Sequence, residues 1–289
     1  MEHVTGVRVH PDAGSVKKNA VDNVDNHTPD MRWPNFMGGR NKYMALAILL
    51  VIVAVGVIVV VTFTQTTLTR PSVCVINLDR NADRLETFRK AYASSDFASW
   101  PCDRLVATDG KRVNWSRREL VHVSALPALQ TVAKTGLRKG DPDLTPGAVG
   151  CYLSHVRAWK RIAASPHMWG IVFEDDSGVP AEARSALVGH LRDVPGDWDV
   201  FLMGYEDHES TRVSDSIISI TSFCRLHAYA ITAKAASKLS RSMLPMRQQV
   251  DWEMSNRIRL GELKVYAPSK QIAPVHWQGT DVQTPLEDK

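Results

Sequence analysis

Ile171-Val172-Phe173-Glu174-Asp175-Asp176-Ser177-Gly178 passes from three large apolar residues straight into three carboxylates and a turn. A short β-branched and aromatic run bounded by turn residues reads as a strand buried on both faces. Strands of that kind belong to the parallel part of an α/β sheet. Ligands of open α/β sheets gather at the carboxyl ends of the strands, which is where Glu174, Asp175 and Asp176 stand. Carboxylates this close repel one another. A hard divalent ion bridging them to substrate phosphates would offset that repulsion. A solvated acidic loop is the plainer alternative.

Outward from this stretch, Val73-Cys-Val-Ile-Asn-Leu78 is a second buried strand, and Asn81 or Asp79 can cap a helix running to about Tyr92. A short strand at Leu105–Ala107 ends in the turn Asp109-Gly110, and Lys134–Leu144 reads as a loop. Thr145 as N-cap and Pro146 at the first helical position open a long helix with apolar Val149, Leu153, Val156 and Ala163. Val200–Met203, Ile217–Ile220 and Ala228–Ile231 read as strands, and Ala233–Met243 and Trp252–Arg259 as helices. Helices alternate with strands early and strands adjoin later, which indicates a mixed α/β sheet flanked by helices.

Ahead of this body lies MALAILLVIVAVGVIVVV, Met44–Val61, extended by Thr62 and Phe63. That is about the 20 residues a helix needs to cross a ~30 Å hydrocarbon layer, and it has no polar face. Arg32, Arg40 and Lys42 precede it while only Arg70 follows closely, so the positive-inside rule keeps the N-terminus cytoplasmic. The expected organisation is a polar tail over 1–43, a signal anchor over 44–63 in the lipid bilayer, a stem over 64–72 and a luminal or extracytoplasmic domain over 73–289. This is the type II arrangement. Of 35 basic and 31 acidic residues the first 43 take 6 and 5, leaving 29 and 26. That near balance is no electrostatic footprint for nucleic acid. Cys74, Cys102, Cys151 and Cys224 all follow the span, so two disulfides are conceivable in an oxidising lumen; Cys74 and Cys151, inside apolar patterns, read rather as small core residues. Asn114-Trp115-Ser116 is a glycosylation acceptor triplet.

The motifs resemble glycosyltransferase family 25, the lipopolysaccharide and procollagen β-galactosyltransferases. Val73-Cys-Val-Ile-Asn-Leu-Asp-Arg-Asn-Ala-Asp-Arg84 is similar to its opening strand, and Ala107-Thr-Asp-Gly110 to its strand-turn. Leu144–Lys160 is similar to its signature helix, and Phe173-Glu-Asp-Asp176 to its acidic metal motif. Trp198–Gly204 and His227–Ile231 follow in the family's order. The resemblance implies a GT-A-like fold with a Rossmann-like nucleotide half. It also implies a UDP-sugar donor, a divalent metal (commonly Mn2+) and inverting transfer of a hexose, galactose or glucose, to a glycan or protein hydroxyl.

Asp175 and Asp176 are then candidate ligands for metal and diphosphate, with Glu174 behind them. His276 is the candidate third ligand. Asn77, Asp79 and Arg84 stand where the nucleotide would bind, although Arg80 and Arg84 also suit surface cations beside a cap. An inverting transferase needs a base on the acceptor hydroxyl. Asp251 is the candidate, with Glu253 and Asp281 behind it; Asp251 equally suits a helix N-cap. His155 reads as a packed, hydrogen-bonded core histidine. The family's signature helix usually carries Glu where this chain has Ala148, and that departure keeps open a catalytically inactive transferase-fold membrane adaptor. A phosphotransferase or nuclease using two ions would need carboxylates at other strand ends; Asp199 precedes its strand.

Overall fold

The computed structural model describes residues 43–44, 46–55, 70–275 and 280–287. It divides into two units, 1–56 and 57–289. In the first, residues 43–44 and 46–55 are helical and exposed. Among the described residues no helix is long and apolar enough to cross a membrane. Residues 45 and 56–63 of the expected span, the tail over 1–42 and the stem over 64–69 lie outside the described residues, as does His276.

The second unit is a six-stranded mixed sheet. Its strands are β1 (Ser72–Asn77), β2 (Cys102–Val106), β3 (Trp169–Glu174), β4 (Val200–Arg212), β5 (Ile217–Thr232) and β6 (Val265–Pro268), in the order β2-β1-β3-β5-β4-β6. β1 runs parallel to both β2 and β3, and β5 runs antiparallel to β3 and β4. Among the described residues six α-helices surround it: α1 (Ala82–Ala93), α2 (Leu126–Thr135), α3 (Pro146–Ala164), α4 (Ala183–Asp193), α5 (Ala233–Ser242) and α6 (Val250–Arg259).

The period of two in the central strands divides the core. Cys74, Ile76, Val172, Leu202 and Tyr229 pack on one face against Tyr152, Val156, Trp159 and Ile162 of α3. Val73, Val75, Ile171, Phe173 and Ala230 pack on the other, against Leu85, Phe88 and Tyr92 of α1. Apolar residues at consecutive positions of β1 and β3 are thereby consumed by two layers, which explains their unbroken apolar runs.

Thr145 caps α3 as expected, its hydroxyl accepting from the Ala148 amide at 2.8 Å. Asn81 occupies the N-cap position of α1 without a side-chain cap bond. The two strands expected at Ile217–Ile220 and Ala228–Ile231 are the ends of one strand, β5. A ladder to β4 with several register shifts carries it across the polar stretch between them. The α6 helix begins at Val250 with Gln249 as N-cap, so Asp251 lies inside the helix and is not its cap. All four cysteines are free thiols, and Cys74 is buried in the core. Pairing of Cys74 with Cys102 is excluded by the sheet: the adjacent strands aim the two side chains into opposite core layers.

Candidate active site

Parallel β1 and β3 are in register, Ile76 beside Glu174, so their carboxyl ends coincide. A cleft of about 430 Å³ opens there, bounded by the start of α1, the N-terminal turns of α3 and α6, and the C-terminal residues 280–283. Asn77, Arg84, Glu174, Asp175, Asp176, Asp251 and Asp281 all line it.

Asp175 accepts from Asn77 Nδ2 at 2.7 Å and from Arg84 Nη2 at 2.8 Å. The same Arg84 nitrogen reaches Asp176 Oδ2 at 3.2 Å, while Nη1 reaches Asp281 Oδ2 at 3.1 Å. One guanidinium thus ties three carboxylates from two parts of the chain. Asp176 Oδ1 is buried with no partner. Burial, reinforced by Glu174 and opposed by Arg84, pushes the Asp176 carboxyl up to about 7. Burial also raises Asp175, against the Asn77 hydrogen bond and Arg84.

Glu174 turns away from that group. Its Oε1 lies 2.9 Å from His155 Nε2, and His155 Nδ1 lies 2.9 Å from the Tyr229 hydroxyl, which also accepts from Trp159 Nε1 at 2.8 Å. Burial pushes Glu174 up, but the His155 hydrogen bond and charge carry it below the ordinary carboxylate range. His155 is fully buried, as the sequence implied, yet it also sets the position of a cleft carboxylate.

The C-terminal residues close one side of the cleft. Asp281 receives Arg80 Nη2 at 2.9 Å and Asn81 Nδ2 at 2.6 Å besides Arg84. Burial would raise Asp281; Asn81 and Arg80 more than offset it and hold the carboxyl low. Gly147 makes this approach possible, because a Cβ there would stand 1.9 Å from the Asp281 carbonyl oxygen. Beyond it, Gln283 Nε2 donates to Gln249 Oε1 at 2.8 Å, and Arg138 Nε donates to the Thr284 carbonyl at 2.8 Å.

Asp251 lines the same cleft from the start of α6, 9% exposed. Its Oδ2 accepts from the Arg225 amide and its Oδ1 from the Trp252 amide, each at 2.9 Å. Burial raises its pKa despite those bonds. Glu253, two residues on, points away from the cleft and pairs with Arg257 at 3.5 Å. Asp79 lies outside the cleft, its side chain 77% exposed and paired with Arg104. Val275 bridges to Ser177, the residue after Asp176. Ala148 lines the cleft and is buried. Two contributors escaped the sequence reading. Asn81 serves Asp281 instead of capping α1, and His227 packs beneath Gly204 with Nε2 2.9 Å from the Ala273 carbonyl. His227 stood inside a quoted motif, but a lone buried histidine carries no sequence signal of its own.

Residues 71–206 match the family model for glycosyltransferase family 25 (LPS biosynthesis protein). Those residues belong to glycosyltransferase family 25. The family 25 match contains Asn77, Arg84, His155 and the Glu174–Asp176 triplet; Asp251 and Asp281 lie beyond it. Procollagen galactosyltransferase 1 of Danio rerio is 27% identical over 231 residues, 72% of this chain and 37% of the relative. The inactive glycosyltransferase 25 family member 3 of Homo sapiens is 29% identical over 206 residues, 63% of this chain and 32% of the relative. The chain thus spans about a third of the length of the curated relatives it matches. Among solved structures, apo mouse xyloside xylosyltransferase 1 aligns with 68% of this chain and 84% of its own, at a TM-score of 0.36 and 9% identity.

Proposed function

We propose that this domain is a GT-A-like, metal-dependent inverting hexosyltransferase that moves galactose or glucose from a UDP-sugar to a hydroxyl of a glycan or protein. The observation that carries the reading is the Asp175–Asp176 pair after β3, with its unpartnered Asp176 Oδ1, in one cleft with Asp251. The orphan oxygen and the excess of carboxylate over cation fit a hard divalent ion, held by Asp175 and Asp176 with His276 as the expected third ligand. Such an ion, Mn2+ being the expected one, supplies charge neutralisation for the departing diphosphate.

The chain's own residues do the rest. Asn77 and Arg84 orient Asp175, and His155 holds Glu174 in place at the end of β3. Arg80 and Arg84 bring positive charge to where a diphosphate would lie. Asp251 takes the acceptor proton: burial makes it a stronger base than an ordinary carboxylate, and two backbone amides aim it. Asp281, held low by its cations, is a weaker base, and Glu253 does not face the cleft.

The second reading, an inactive transferase-fold adaptor, is favoured by Ala148 in the cleft wall and by the relative named inactive. The apolar run over 44–63 is proposed as the membrane anchor under either reading. UDP-sugar hydrolysis tested across a donor panel, with and without Mn2+, separates the two. The transferase reading requires turnover that chelation removes and that Asp176→Ala abolishes with little change in Tm. Normal turnover by Asp176→Ala would put the metal elsewhere, and no turnover with any donor favours the adaptor.

A further inference from the structure

In the same cleft, the β4–β5 hairpin gathers a different set of donors. Glu206 stands opposite Cys224 in the ladder, and His208 follows Glu206 by two residues, the spacing that returns a side chain to the same face of a strand. Register shifts between Gly204 and Glu206 and between Asp207 and Glu209 turn this part of the hairpin. One ligand atom each from Glu206, His208 and Cys224 lies within 4.8 Å of the others. Cys224 Sγ is 3.4 Å from His208 Nε2. A zinc ion bonded at ~2.3 Å to sulfur and ~2.05 Å to nitrogen in a tetrahedron sets those two atoms about 3.5 Å apart.

The surroundings hold the set in place. The Trp252 ring lies 5.7 Å from the His208 ring. Arg225, whose φ of 65° is left-handed, is fixed by the Asp251 carboxylate at its amide. Its guanidinium engages Glu206 Oε2 at 3.0 Å, which leaves Oε1 for an ion.

We propose that Glu206, His208 and Cys224 form a second metal site of the zinc class, on the Asp251 side of the cleft. Thiolate and imidazole select a borderline-soft ion, whereas the oxygen pair at Asp175 and Asp176 selects a hard one. Binding displaces the Cys224 thiol proton to solvent, the thiolate and an imidazole lone pair each form a bond to the ion, and no electron is transferred. Three protein ligands leave a fourth tetrahedral position. The site does not depend on transferase activity.

Cobalt(II) titration of the metal-stripped protein tests it, since a thiolate ligand produces a near-ultraviolet charge-transfer band. The wild type should show that band and lose it to added zinc, and zinc should raise its Tm. Cys224→Ala should lose the band and weaken zinc at least about 10²-fold, the upper end of what removing a mere supporting partner costs. Glu206→Gln, a change on an exposed side chain, should weaken zinc while leaving the metal-free Tm in place, so the test survives a poorly folded cysteine variant. Asp176→Ala should keep the band. A wild type without the band, a band that persists in Cys224→Ala, or unchanged zinc affinity in Glu206→Gln would overturn the assignment.

Discussion

His155 Nε2 and Glu174 Oε1 meet at 2.9 Å, joining the core of α3 to the last residue of β3. The bond is the cleft end of a chain whose other members, His155, Tyr229 and Trp159, are fully buried. Removing one partner of a buried pair leaves the other desolvated and unpaired, which costs about 1–3 kcal/mol. His155→Leu should lose about that much in denaturant unfolding. The double variant with Glu174→Leu should cost less than the two single changes combined. Strict additivity would show that the bond does not couple them.

Gly147 governs the C-terminal closure of the cleft. Gly147→Ala places a methyl 1.9 Å from the Asp281 carbonyl oxygen, so residues 280–283 must move. The helix α3 should tolerate the change, because Ala is a better helix former than Gly. UDP binding should weaken by about tenfold or more, as displacements of ~1 Å near a site do. Calorimetry checks this; unchanged affinity would remove the C-terminal residues from the nucleotide site.

His227 should make the fold acid-sensitive. Its Nε2 donates to the Ala273 carbonyl, and its buried Nδ1 has no partner. Burial lowers its pKa below the usual value, against the Ala273 hydrogen bond. A histidine depressed in the folded state contributes stability that is present above its unfolded pKa of about 6.5 and lost as pH falls below that. Tm should therefore fall between pH 7 and pH 5, and His227→Gln should flatten that part of the profile. An equally steep profile in the variant would assign the effect to other groups.

Topology has its own test in Asn114, which is exposed beside Ser116 with the hydroxyl 2.5 Å from Asn114 Oδ1. Expressed in a eukaryotic secretory system, a type II chain should carry a glycan that an endoglycosidase removes and that Asn114→Gln prevents. Protease added to sealed microsomes should spare the body. Digestion of the body without detergent would reverse the orientation.

Much of this arrangement was legible because local chemistry and packing agree in β1, β3 and α3. Unbroken apolar runs filled two core layers, and Thr145-Pro146 announced the helix that carries His155. Helices α2 and α4 were not read, and neither was β6. Leu126–Thr135 buries only Leu129 and Val132, and Ala183–Asp193 only Ala183 and Leu187, so neither shows a sustained apolar stripe. Four residues of β6 carry too little periodicity to register. The carboxylate cluster was visible as a triplet, but its bond to Arg84 and Asp281 was not. The latter pair is 197 residues apart in sequence, and only the folded chain brings them together. Asp251 was read as flanking its helix because Val250 gives no start signal, whereas Gln249 serves as N-cap without a side-chain bond.

Asp251 and Asp281 differ in what holds them, and that difference separates their roles. Asp281 is bound by Arg80, Asn81 and Arg84, so its charge is spent on assembling the nucleotide side of the cleft. Asp251 receives only backbone amides, and burial raises its proton affinity. A base on the acceptor hydroxyl need not touch the donor. Asp251→Asn should therefore keep Mn2+-dependent UDP binding by calorimetry while losing about 10²-fold or more in transfer, the usual scale for a general base. Asp281→Asn weakens the ties to three side chains and should instead lower UDP affinity, with transfer at saturating donor reduced far less. If Asp251→Asn loses UDP binding while Asp281→Asn keeps it and loses turnover, the two roles are exchanged. If both variants retain transfer, the base belongs to a group outside this cleft wall and the inverting mechanism has been placed on the wrong residues.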